Sequence, residues 1–242
     1  MKLSFLAVVF LILSVSNTQA QEIVKSFSTN TFGGEELNSL KVDYGRNKTI
    51  PAVYETQILI TLSYFPELKN TSIEFRLKKT TTPLSSRPTL IGLLQSAKKR
   101  KYIVTISEET NPGLEPILFK KLNFNAQVGV LGHELSHVSD YVTKGFGKMM
   151  NLLVIEIFSK KQVDKFESGT DHICINHGLG FQLLDWSKSV RKNLKIDYWR
   201  GANNLKYRSM DERYLNPETI IQVMKQNQLY HQALSDNPLP VD

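Results

Sequence analysis

Two imidazoles and a carboxylate lie within five positions of one another in Gly132-His133-Glu134-Leu135-Ser136-His137. On a helix, His133 and His137 sit one turn apart on the same face, where both rings can reach a single ion at the ~2.0–2.1 Å typical of zinc–nitrogen bonds. Glu134 then projects beside that ion. A bound Zn²⁺ lowers the pKa of its water to about 7, and an adjacent carboxylate can take the proton as the water attacks a carbonyl carbon. The motif therefore predicts a Zn²⁺-dependent hydrolase, with peptide bonds as the first substrates to consider.

The surrounding sequence supports a helix. Phe124, Val128, Leu131, Leu135, Val138 and Val142 step by four and three, so 124–142 reads as a helix that buries one apolar stripe. Asn123 or Asn125 suits its N-cap. A second face carries only Gly129, Gly132, Ser136 and Ser139. Glycine inside a helix costs about 1 kcal/mol against alanine, so two of them within one turn predict another segment packed very close.

Upstream, Pro51 can open a helix with Tyr54, Ile58, Leu62 and Phe65 at helical spacing. Period-two alternation predicts strands at 72–78 and 102–107; 89–94 reads as a third and 23–27 as a short one. The rest of 21–50 has no clear period and reads as loosely structured. Downstream, 149–158 reads as a buried apolar helix, too short to span a bilayer. A helix at 162–176 follows, with Gly178 as its stop. Asn216-Pro217-Glu218 opens the last helix.

A catalytic zinc usually takes three protein ligands and leaves one position to water, so the motif lacks one. The metzincin pattern is excluded, because its Gly and third His fall on Asp140 and Thr143. An aspzincin Gly-Thr-x-Asp is only approached by Gly169-Thr170-Asp171, which lacks the intervening residue. Phe166-Glu167-Ser168-Gly169-Thr170-Asp171 fits the gluzincin order, a Glu on a second helix with an Asp four residues later. The chain thus resembles a small gluzincin over residues 123–178. That resemblance implies an exported zinc metallopeptidase acting on a peptide or protein substrate, with His133, His137 and Glu167 as metal ligands. It also implies Glu134 as general base and Asp171 as the acceptor that orients a ligand imidazole. The implied fold is α+β and zincin-like: a small mixed sheet packed on the motif helix, with a mainly helical C-terminal half. By the same analogy the strand at 102–107 is the edge along which an extended substrate lies.

The oxyanion partner is left open among His172, His177, Tyr198, Tyr207, Tyr214 and His231. The alternative function is a zinc-binding assembly factor of the same fold without hydrolysis, which would have no need of Glu134. The gap from His137 to Glu167 is longer than in thermolysin-like enzymes.

With 242 residues the chain has room for one substantial core. Lys2, an apolar run over 3–15 and a small residue at Ala20 predict a signal peptide at 1–20, a single domain over 21–242 and a periplasmic or secreted location. No other run is long enough for stable membrane insertion. The single cysteine, Cys174, rules out an internal disulfide. The net charge is +7, densest at Lys98-Lys99-Arg100-Lys101. Without aromatic interleaving or a nucleic-acid module, that run reads as a solvated turn and no nucleic-acid partner is expected.

Overall fold

The computed structural model describes residues 23–145, 147–149, 151, 160–201 and 212–236. The expected signal peptide, most of the 149–158 helix and Tyr207 lie outside them. The first half contains α1 (Gly34–Tyr44), β1 (Lys48–Thr49), α2 (Glu55–Ser63), β2 (Ser72–Lys78), β3 (Leu84–Pro88), α3 (Leu90–Leu93) and β4 (Lys101–Ser107). Helices follow: α4 (Phe124–Val142), α5 (Lys160–Asn176), α6 (Gly180–Leu194), α7 (Pro217–Gln226) and α8 (His231–Ser235). The architecture is mixed α+β. No described helix is long and apolar enough to cross a membrane.

The sheet has four strands in the order β1-β2-β4-β3, parallel except for the antiparallel pair β3–β4. Alternation in β2 buries Ile73 and Phe75, while β4 is buried along both faces from Tyr102 to Ser107. That burial follows from its central position. The expected edge strand at 102–107 is therefore corrected: β4 is paired on both sides, and β3 is the edge that runs beside α4. Residues 89–94 are not a strand either. Thr89 caps the single turn of α3 by accepting from Gly92 N–H at 2.9 Å. The strand lies earlier, in the polar stretch Leu-Ser-Ser-Arg-Pro, where an edge position tolerates both exposed polar residues and proline.

Helix α4 forms as its pattern predicts. Asn123 accepts from Ala126 N–H at 2.8 Å, and 16 of the 19 residues are buried, which makes this the central helix of the fold. Helices α2, α5 and α6 and strand β3 surround it. The small-residue face meets α6 and the end of α5. A methyl group on Gly129 would collide with the carbonyl of Gln182, and one on Gly132 would lie 2.8 Å from Leu179 Cδ1 and 2.9 Å from Cys174 Sγ. Asn125 does not cap the helix. It accepts from Phe27 N–H at 2.9 Å and from Gln182 Nε2 at 3.2 Å, tying the N-terminal segment to the core, so 23–27 is held without being a strand.

Candidate metal centre

One turn of α4 brings His133 and His137 together, and α5 supplies a carboxylate from the side. Their atoms make a nearly equilateral triangle. His133 Nε2 and His137 Nε2 are 3.1 Å apart, and Glu167 Oε2 lies 3.3 Å from the first and 3.2 Å from the second. Tetrahedral ligands at ~2.0–2.1 Å from one ion stand about 3.3–3.4 Å from each other, so the triangle has the edge such a metal site requires.

The outer hydrogen bonds decide what faces inward. His133 Nδ1 meets Asp171 Oδ1 at 2.7 Å, and Asp171 Oδ2 accepts from Leu215 N–H at 2.8 Å. The Thr170 hydroxyl donates to the carbonyl of Phe166 at 3.0 Å, leaving its oxygen to accept from His137 Nδ1 at 3.2 Å. In its neutral form each imidazole would therefore carry its proton on Nδ1 and aim the lone pair of Nε2 at the same point. Glu167 Oε2 is buried facing the two Nε2 atoms, while Oε1 accepts from Arg213 Nη2 at 3.2 Å. With both rings neutral the three inward atoms all offer lone pairs, which is a ligand set for a cation. His133, His137 and Glu167 can thus hold a metal ion.

Charge points the same way. Burial opposes a positive charge on His133, yet its bonds to Asp171 and Glu167 outweigh burial and raise its pKa to about 10. Burial likewise opposes the Glu167 carboxylate, but the charge of His137 and contacts with both imidazoles hold it well below the usual range. A centre that binds a proton this firmly is strongly negative in potential, which suits a divalent ion equally.

Glu134 is 7 % exposed and makes no hydrogen bond with any described residue. It lines, with His133 and Tyr214, a cavity of about 80 Å³, large enough to admit water. Leu84, Ile117, Val130, Trp186 and Trp199 form its apolar wall, and Thr82 and Pro83 at the start of β3 complete it.

The six residues left open for the oxyanion separate clearly. His172 and His231 are exposed, Tyr198 is 49 % exposed, and Tyr207 is outside the described residues. His177 is occupied elsewhere, with Nε2 3.0 Å from Glu67 Oε1 and its ring stacked on Phe65. Tyr214 alone of the described five lines the cavity, its ring centroid 5.4 Å from that of His133. Burial, reinforced by the charge of Glu167, raises its phenol pKa far above the usual value, so it stays a donor.

Sequence reading missed Thr170, Arg213, Trp186 and Trp199. Thr170 had a local signal, since it lies one turn from Phe166 on the face shared with Glu167. Arg213 had none, because 46 positions separate it from Glu167 and only the fold joins them. Comparison with protein-family models, curated proteins and solved structures returns no match.

Proposed function

We propose that this chain is a zinc-dependent peptidase. The observation that carries the reading is the convergence of two Nε2 atoms and Glu167 Oε2 on one point, with Glu134, unpaired among the described residues, lining a cavity together with His133. Zinc held there supplies a Lewis acid and a water acidified to about pKa 7. The protein does the rest. Glu134 accepts the proton of the attacking water and passes it to the departing amine, a task that needs a carboxylate free of structural bonds. Tyr214 offers a phenol O–H to the carbonyl oxygen as charge gathers there. Asp171 and Thr170 fix the two imidazole tautomers, and Arg213 holds one oxygen of Glu167 so that the other faces the centre.

Substrate orientation follows from β3. This edge strand leaves one row of main-chain N–H and C=O groups without a strand partner, and its first residue, Leu84, lines the cavity. An extended peptide can add there as a fifth strand and place a side chain against Trp186 and Trp199.

The test is Glu134→Gln. The variant should keep about one zinc per chain by elemental analysis, yet digest a peptide library about 10²–10⁴-fold more slowly than the parent. Equal digestion would remove Glu134 from the mechanism. A zinc-loaded parent that cleaves nothing would favour the assembly-factor alternative.

A further inference from the structure

Three large aliphatic side chains stand almost fully in solvent on one short element. Leu90 is 77 % exposed, Ile91 74 % and Leu94 77 %. The other large exposed hydrophobics among the described residues, Val42, Val53, Tyr198 and Leu229, are scattered singly, which is ordinary for a surface. A cluster of three within five positions is not.

The tip is held rigidly. Arg100, 2 % exposed, donates from Nε to Gly92 O at 3.1 Å and from Nη2 to Gln95 O at 3.2 Å. Its Nη1 reaches Tyr141 O and Lys144 O, each at 3.1 Å, at the end of α4. Thr89 N–H donates to Lys101 O at 2.9 Å, which sets the base of the tip against β4. The aliphatic groups are thus presented outward by a bonded frame.

The charge around them is one-sided. Residues 75–107 contain eight Lys or Arg and no Asp or Glu, whereas the rest of the chain has 22 basic and 23 acidic residues. Within that segment Arg76, Lys79 and Lys101 pair with Glu74 and Glu109, and Arg100 is buried beneath the tip. Arg87 and Lys99 are exposed on either side of it, and Lys101, paired with Glu74 at 3.2 Å, sits at its base.

We propose that this tip seats the protein peripherally on a bilayer surface bearing anionic headgroups. An exposed apolar tip flanked by Arg87 and Lys99 matches the boundary between headgroups and acyl chains, which needs no shape complementarity and is negatively charged. A second copy of this chain is disfavoured, because a two-fold contact would press the same basic segments together. The proposal stands independently of the metal site. Seating uses α3 at the far end of β3 from the cavity, so it leaves the cavity end of that strand uncovered.

The experiment is co-sedimentation of the zinc-loaded protein with large vesicles, of phosphatidylcholine alone or mixed equally with phosphatidylglycerol. The parent should partition onto the mixed vesicles and not onto phosphatidylcholine alone. Leu90→Ser/Ile91→Ser/Leu94→Ser should lower partitioning on the order of a hundredfold. Lys99→Gln, which leaves the apolar groups in place, should lower it roughly fivefold. Thermal melting and zinc content should match the parent for both, since every altered side chain is exposed. Equal sedimentation with both vesicle types, or an undiminished triple variant, overturns the proposal. If vesicles are ignored and the triple variant instead loses a dimer seen by sedimentation velocity, the tip is a self-association face. If vesicles are ignored and the triple variant digests protein substrates more slowly in their absence, it is a substrate-docking surface.

Discussion

At the scale of single residues, two carboxylates one turn apart on α5 have been given different work by their surroundings. Glu167 reaches both Nε2 atoms, whereas Asp171 reaches only the outer nitrogen of His133 and a main-chain N–H. Glu167→Ala should therefore nearly abolish zinc retention, while Asp171→Ala should weaken it ~10–100-fold, as loss of an orienting partner typically does. Competition against a graded series of chelators ranks the two. The reverse order would make Asp171 the ligand. The pair His133 and His137 and the neighbouring Glu134 were legible in the sequence because a four-residue spacing fixes a shared helix face. So was the cluster's third member, through the resemblance. Arg213 was not, and Tyr214 stood only as one of six open candidates, since residues brought in by a distant loop leave no trace in local spacing.

At the scale of elements, the small-residue face of α4 carries a testable cost. Replacing Gly by Ala inside a helix ordinarily stabilises by up to about 1 kcal/mol. At Gly169, where nothing lies within 4 Å of an added methyl, that gain should appear. At Gly129 the added methyl meets the Gln182 carbonyl, so α4 and α6 must separate, at about 1–3 kcal/mol. A melting curve should fall by roughly 2–12 °C for Gly129→Ala and hold or rise for Gly169→Ala. A rise at Gly129 would show that the helices are not this close. The glycines foretold a close neighbour without naming it, and α6 went unread although it is that neighbour. Helix α1 was missed for another reason: it buries none of its residues, so no apolar stripe marks it. Strand β3 is hard to see in the sequence because its polar run reads as loop, and the apolar 89–94 mimics a strand because exposed and buried leucines look alike in sequence. Strand β2 was legible because one regular face is buried, and β4 and helix α4 because their apolar residues keep a regular period although burial reaches more than one face.

At the scale of the whole molecule, Glu67 joins three parts of the chain: the turn after α2, Ser139 on α4 and His177 just beyond α5. Burial alone would lower the His177 pKa and raise that of Glu67. Their mutual bond, with Ser139 also donating to Glu67, reverses both directions. The raised His177 contributes stability in full below its unfolded value near 6.5 and loses it as pH climbs through the higher folded value. The lowered Glu67 contributes above about 4.5 and loses its share as pH falls through the folded value. Stability from this pair should peak between those limits, and urea unfolding across pH should show a decline on the alkaline side that His177→Gln flattens. An identical pH profile in the variant would assign that decline to other groups. A last consequence concerns Arg100, whose four carbonyl acceptors belong half to the tip and half to the end of α4. Opening the tip must also unlatch the C-terminal end of the motif helix, so the two share one unfolding event even though the tip is washed by solvent. Surface accessibility and local stability are thereby uncoupled. Amide hydrogens around the tip that are bonded to Thr89 and Ile91, those of Leu93 and Leu94, should exchange as slowly as those in the last turn of α4. Arg100→Lys, with one donor head in place of a fork, should release both sets together.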